Sequence, residues 1–322
     1  MENALYGPDG FFVTDPGPAG HFRTSAQLPA FATALAALLS RLDAELGHPA
    51  PLEVVDVGAG RGELLRALAA ELRTPDRVRL MAVERAPRPA DLPAAVEWRD
   101  EIPAGITGLL LGTEWLDNVP LELAVPDGGG WRYLLVDPAS GAESVGDPVG
   151  DADRSWLARW WPAERATARV EIGRTRDDAW AAAVRRVGRG LALAVDYGHL
   201  RSDRPPAGTL TGYRHGRQVV PVPDGSCDLT AHVALDSVGA AGSAAARRPY
   251  LLVRQREALR ALGTDGRRPP LGLASTDPAG YLRSLAAAST AAELTDPDGL
   301  GGHRWLLQPV GLEPIPLLAG LD

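Results

Sequence analysis

The chain has 322 residues, and its 33 basic and 41 acidic side chains leave a net charge of −8. Every basic side chain is arginine, which excludes a pyridoxal-phosphate Schiff base, a phosphate-loop lysine and a kinase lysine. The single cysteine, Cys227, excludes an internal disulfide, a thiolate zinc cluster and an iron–sulfur centre, and the acidic balance argues against general nucleic-acid binding.

Residues 1–28 are rich in Gly, Pro and Asp and read as an arm. Phe31, Leu35, Leu38, Leu39, Leu42 and Leu46 then recur at intervals of three and four, a helical stripe that Gly47 and Pro49 stop. Leu52–Val57 is a β-rich run, 58–62 a glycine turn, and Leu64, Leu65, Leu68 and Leu72 form a second helical stripe. Further strands are expected at 78–83, around Val96, at 108–111 and at 191–195. Apolar strands alternating with helices predict a parallel α/β sheet.

The stretch between the fourth and fifth of these strands is longer than a crossover needs. Within it, Asp127-Gly128-Gly129-Gly130 marks a hairpin turn between runs at 123–125 and 131–136. Trp156, Trp160, Trp161 and Trp180 fall in helical stretches and read as packing residues. Helices at 255–262 and 277–288 and a strand at 305–308 follow. The expected architecture is a Rossmann-like, doubly wound α/β sheet. It divides into an arm and helix (1–50), a core (51–200) with an insertion at about 126–185, and C-terminal elements (201–322) that complete the sheet. No signal peptide, transit peptide or apolar run of spanning length is visible, so a cytoplasmic setting without a membrane is expected.

The run Asp56-Val57-Gly58-Ala59-Gly60-Arg61-Gly62 lies between a strand and a helix, where backbone N–H groups converge at the strand's C-terminal edge. A dinucleotide fingerprint would need its third glycine at position 63, and that residue is Glu63, a carboxylate facing a pyrophosphate. The pattern resembles instead the acid-x-Gly-x-Gly-x-Gly of S-adenosylmethionine methyltransferases, whose cofactor carries no phosphate. On that resemblance Gly58, Gly60 and Gly62 admit the cofactor's amino-acid moiety and Asp56 helps hold its ammonium. Glu84, at the end of the second strand, offers two acceptor oxygens to a ribose diol. Asp100, after the third strand, is placed to accept from an adenine amino group.

A longer constellation narrows the resemblance. Thr113-Glu114-Trp115-Leu116-Asp117-Asn118-Val119-Pro120 is similar to the Asn-Glu-Phe-x-Asp-Ala-Leu-Pro motif of MidA-like methyltransferases, which include a mitochondrial complex I assembly factor that methylates an arginine. Gly20-His21-Phe22-Arg23-Thr24-Ser25, Asp196-Tyr197-Gly198, the run from Gly225 through Asp228 and His232 to Val233, and Gln255 with Leu259 resemble further segments of that family, in order. Three positions depart from it: His21 and Ala234 replace acids, and Thr113 replaces an asparagine.

The resemblance implies S-adenosylmethionine-dependent methylation of a protein arginine, with insertions covering the acceptor site. Such a guanidinium is charged at any working pH, so carboxylates must bind and orient it. Glu114 and Asp117, three residues apart beyond a strand end, suit that role, with Asp228 and His232 as neighbours and His232 as a candidate base. The competing reading has Asp117 capping the next helix and Glu114 merely exposed. A small-molecule O- or N-methyltransferase and a binding or assembly factor without turnover are the alternative functions. His21, His199 and His215 lack a metal spacing, no metal site is expected, and Cys227 reads as a structural thiol.

Overall fold

The computed structural model describes residues 1–13, 24–72, 74–161, 168–264 and 266–312. The chain runs through α1 (Glu2–Tyr6) and α2 (Pro29–Leu46) to β1 (Leu52–Val57), α3 (Glu63–Glu71), β2 (Val78–Val83), β3 (Val96–Arg99) and β4 (Ile106–Thr113). An excursion follows, comprising β5 (Glu122–Asp127), β6 (Gly130–Val136), β7 (Glu143–Pro148), α4 (Asp151–Trp160) and β8 (Val170–Ile172). Helix α5 (Arg174–Arg186) returns the chain to β9 (Val187–Asp196), after which come the short strands β10 (Gly198–His199), β11 (Thr211–Arg214), β12 (Arg217–Val219), β13 (Asp228–Thr230) and β14 (Val233–Ala234). Last are α6 (Leu235–Ala246), β15 (Leu251–Arg254), α7 (Gln255–Ala261), α8 (Gly272–Thr276), α9 (Pro278–Thr295) and β16 (Arg304–Val310).

Seven strands form the central sheet in the order β15-β16-β9-β4-β1-β2-β3, all parallel except β16, which is antiparallel to both neighbours. Because both faces are covered, the strands read as unbroken apolar runs whose successive residues enter opposite layers. Val54, Leu109, Leu111 and Leu193 pack with Phe31, Leu35 and Leu38 of α2 and Leu65 and Leu68 of α3. Val55, Leu110, Ala192 and Leu306 pack with Trp180 and Val184 of α5 and Val238 of α6. From β1 the chain moves outward to β2 and β3, then returns to the other side of β1 as β4. The C-terminal ends of β1 and β4 therefore part to leave the crevice of a topological switch point.

The excursion is a four-stranded antiparallel sheet, β7-β6-β5-β8, backed by Trp156, Leu157 and Trp161. Its β5–β6 hairpin turns at the expected glycines, and the tryptophans of this region are packing residues as expected, with Trp160 half-buried. Helix α9 outruns its expected end at 288 because only Ala288, Ala291 and Leu294 carry its buried stripe, a pattern too faint to trace by periodicity. In the described part of the arm, α1 and the turn after it bury Ala4, Leu5 and Phe11 against Cys227 and Leu229. Among the described residues no helix is long and apolar enough to cross a membrane, and no group of His, Cys, Asp and Glu is arranged to hold a metal ion.

Candidate functional site

At the end of β1, Gly58, Gly60 and Gly62 all take positive φ, at +71°, +58° and +79°. These left-handed conformations explain the glycines directly. A Cβ on Gly58 would lie 3.1 Å from the Trp115 ring, and one on Gly62 would lie 2.6 Å from Leu92 Cδ1. The Gly60 N–H donates to Glu84 Oε2 at 3.0 Å, while Glu84 Oε1 accepts from the backbone N–H groups of Arg85 (2.7 Å) and Ala86 (3.1 Å). The strand-end acid and the glycine turn are thus joined. Asp56 is buried beneath them, and its burial, with Glu84 and Glu63 nearby, pushes its carboxyl up to about 8. Asp100 is exposed on the wall of the same cavity.

Across the crevice, β4 leads into Glu114, which holds φ +51°, an unusual conformation for a residue with a side chain. Its N–H donates to Val195 O at 2.8 Å, and its Oε1 accepts from the Ser25 N–H at 3.0 Å. Its side chain is 12% exposed, so the reading of Glu114 as merely exposed fails. Burial pushes this carboxyl up to about 8, against the opposing pull of the Ser25 N–H.

The turn Leu116–Asn118 that follows is capped by another residue: Asp196 Oδ2 accepts from the N–H groups of Leu116 (3.0 Å) and Asp117 (3.2 Å). Asp117 therefore does not cap. Its Oδ2 accepts from the hydroxyls of Thr230 (2.6 Å) and Tyr197, and its Oδ1 is buried without a hydrogen-bond partner. Asn118 Nδ2 donates to Asp228 Oδ1 at 2.9 Å. Arg176 of α5, fully buried, binds these loops together by donating to the carbonyls of Asp117, Val119, Ala231 and His232. Burial holds the carboxyls of Asp117 and Asp228 above the ordinary range.

One cavity of about 1150 Å³ joins the two halves, and Gly58, Gly60, Glu84, Asp100, Glu114, Asp117, Asp228 and His232 all line it. Gly62 and Asp56 lie behind this lining: Gly62 is the N-cap of α3 and Asp56 supports the turn from below. The His232 ring stands at the cavity wall 5.2 Å from the Tyr197 ring, and its surroundings hold it below its ordinary pKa, so it is neutral at neutral pH. His21 lies outside the described residues. Thr113 lines the cavity with its Oγ1 buried and unpartnered, and Ala234 is buried in β14. Cys227 is buried and free, as a structural thiol would be.

The structure adds two residues to the site: His303, which no local pattern marked, and Gln255, which the family resemblance marked without a role. His303, at the entrance to β16, lines the cavity with its Nδ1 3.8 Å from Glu114 Oε1. Burial lowers it to about 4. Gln255 donates to Ser25 Oγ (3.0 Å) and accepts from Trp305 Nε1 (3.1 Å), so the backbone that holds Glu114 is itself held.

These buried acids have a consequence for stability. A carboxyl raised to about 8 in the folded state binds a proton that the unfolded chain has released, so its contribution is complete below about pH 4 and is lost as pH rises to about 8. His303, lowered from 6.5 to about 4, acts in the opposite sense, but only below pH 6.5. The ligand-free protein is therefore expected to lose a few kcal/mol of stability between pH 6.5 and 8. Thermal melting across that window checks this, and the double variant Asp56→Asn, Glu114→Gln should make the slope shallower, the raised Asp117 and Asp228 remaining. A melting temperature that rises with pH would contradict it.

Residues 34–251 match the sequence model of a family described as "Putative S-adenosyl-L-methionine-dependent methyltransferase". Among solved structures, the chain is similar to a Burkholderia thailandensis protein bound to S-adenosyl-homocysteine. The two share 23% identity with a TM-score of 0.80, over 100% of this chain and 89% of the other. It is also similar to a native crystal structure of an uncharacterized protein of the same superfamily from the same organism, at 24% identity and a TM-score of 0.76, over 99% of this chain and 88% of that one. These likenesses bear out the Rossmann-like, doubly wound methyltransferase sheet. A search of curated protein sequences finds no significant match.

Proposed function

The chain belongs to this family of S-adenosyl-L-methionine-dependent methyltransferases, and from that premise we propose that it methylates a protein arginine side chain, as its MidA-like motifs imply. Gly58, Gly60, Glu84 and Asp100 would line the cofactor's seat, and Asp56 and Gly62, behind that lining, would shape the turn that holds it rather than bind the ammonium directly. The residues fit that group: the turn is a cradle that a Cβ on Gly58 would fill, and its carboxylates suit a cationic molecule without phosphate. The cofactor supplies a methyl group on a sulfonium. The protein has then to align the acceptor nitrogen, exclude water and receive one proton.

One observation carries the acceptor reading. Glu114, Asp117 and Asp228 converge on one end of the cavity, while the arginine beside them, Arg176, donates its hydrogen bonds to backbone carbonyls. Burial, and for Glu114 and Asp228 the neighbouring Asp117, raises these carboxyls, which a bound cation would relieve, and Asp117 Oδ1 is buried without a hydrogen-bond partner. A guanidinium answers both, because its planar fork can engage two carboxylates at once. Glu114 and Asp117 would bind and orient it. His232, neutral at neutral pH, would accept the proton released as the nitrogen is methylated. The insertion at about 126–185 and the C-terminal elements would frame the acceptor entrance around the core.

Incubating the purified protein with methyl-labelled S-adenosylmethionine and a cell lysate tests this. A labelled protein band that yields methylarginine on hydrolysis is expected. Label confined to the small-molecule fraction would overturn the protein acceptor, and cofactor binding without any transfer would make the chain a binding factor.

A further inference from the structure

We infer that Tyr6, carried on helix α1, is part of the methyl-transfer site: its ring forms the wall where the cofactor half of the cavity meets the acceptor half. The inference rests on the reading of the Gly58 turn and Glu84 as the cofactor's seat.

Helix α1 has five residues, too few to stand alone in water, so its contacts decide its position. It is fastened on two sides. On the acceptor side Leu5, fully buried, and Phe11 pack on Leu229 of β13, next to Asp228, and the N–H groups of Phe11 and Phe12 return to the carbonyls of Ala4 and Leu5, each at 3.0 Å. On the cofactor side the Arg85 guanidinium, one residue after Glu84, lies 4.6 Å from the centre of the Tyr6 ring and pairs with Glu2. Phe12 stacks on the Tyr6 ring, with 5.5 Å between ring centres and 22° between planes, and lines the same cavity.

Tyr6 lines the cavity together with Glu84, Asp117 and Asp228. The charges of all three bear on its phenol and, with burial, push its pKa upward. With Arg85, beside Glu84, over its ring and Leu5 packed on Leu229, beside Asp228, Tyr6 stands between the two ligand sites. The methyl group has to cross at that point. The Glu2–Arg85 pair is exposed and contributes little by itself, so the ring and its apolar anchor carry most of the effect.

Titration with S-adenosyl-homocysteine, by calorimetry and stopped flow, tests the inference. Tyr6→Ala should weaken binding by about tenfold or more, as loss of a packed aromatic wall implies. The loss should appear as a faster off-rate with an on-rate unchanged or raised, which general destabilisation would not produce. Tyr6→Phe keeps the ring and should stay within about threefold of the wild type. Tyr6→Leu keeps an apolar anchor on α1 but loses the flat ring; it should fall between them and keeps the test decisive if Tyr6→Ala does not fold. Wild-type affinity and off-rate in Tyr6→Ala, or in Tyr6→Leu where Tyr6→Ala is unfolded, would overturn the proposal while leaving the cofactor site in place. A wild-type protein that fails to bind S-adenosyl-homocysteine would overturn the cofactor reading, and this wall with it.

Discussion

Gly58→Val is expected to weaken S-adenosyl-homocysteine binding by about a hundredfold or more, in a protein that still folds. Gly58 sits at φ +71°, where a β-branched residue is strained by roughly 1–3 kcal/mol. Its new Cβ would press on Trp115 Cδ1 at 3.1 Å. Trp115 has little room to retreat, because a Cβ on Gly112 would already meet the same indole at 2.9 Å, which shows how closely the ring lies on the end of β4. The strain is therefore relieved by moving the turn, and with it the N–H groups that line the cavity. Folding should survive, since Gly58 is exposed toward the cavity and the core residues Val55 and Val57 are untouched. Gly60→Ala is the gentler comparison: its Cβ would meet only Glu63 Oε2, at 3.4 Å. Unchanged affinity of Gly58→Val in calorimetry would remove the turn from the cofactor site.

Legibility in this sequence followed how local each cause is. Strands β1 and β2 could be delimited to the residue, because buried parallel strands are continuous apolar runs and their ends are marked by glycine or acid. The glycine turn was equally visible, since positive φ at three alternate positions leaves few other residue choices. Glu114 and Asp117 were visible as a motif, but their burial was not. What keeps Asp117 free of capping is Asp196, 79 positions away in sequence, and what holds Glu114 is Ser25 and behind it Gln255. His303 and Tyr6 escaped notice for the same reason: each enters the cavity from a chain end, next to groups that only the fold makes its neighbours. Arg176 looked like any helix-surface arginine of α5. Its burial follows from the four carbonyls that converge on it. For Tyr6 a local signal existed, the apolar cluster of Leu5, Phe11 and Phe12 in an otherwise polar arm.

Glu114→Gln should lower methyl transfer by about 10²–10⁴-fold while leaving S-adenosyl-homocysteine affinity nearly intact. The substitution keeps the shape and the acceptor that Ser25 uses, and removes only the charge that a cationic acceptor needs. With the ligand-free carboxyl pushed up to about 8, Glu114 carries a proton at neutral pH and must give it up when a cation arrives. Transfer by the wild type should therefore rise with pH through that range, and the dependence should disappear in Glu114→Gln. A joint loss of transfer and cofactor affinity would move Glu114 into the cofactor site or the fold.

The backbone offers an independent discriminator. At φ +51° the glutamate is held in a region that glycine occupies without strain, at a penalty of roughly 1 kcal/mol. Glu114→Gly removes that penalty together with a buried carboxyl, and because the deleted side chain itself lines the cavity, its loss opens a path for water to the buried Ser25 N–H. A residue retained for the fold would lose stability on this change. One retained for chemistry should gain it, so Glu114→Gly is expected to melt at or above the wild-type temperature and to transfer no methyl.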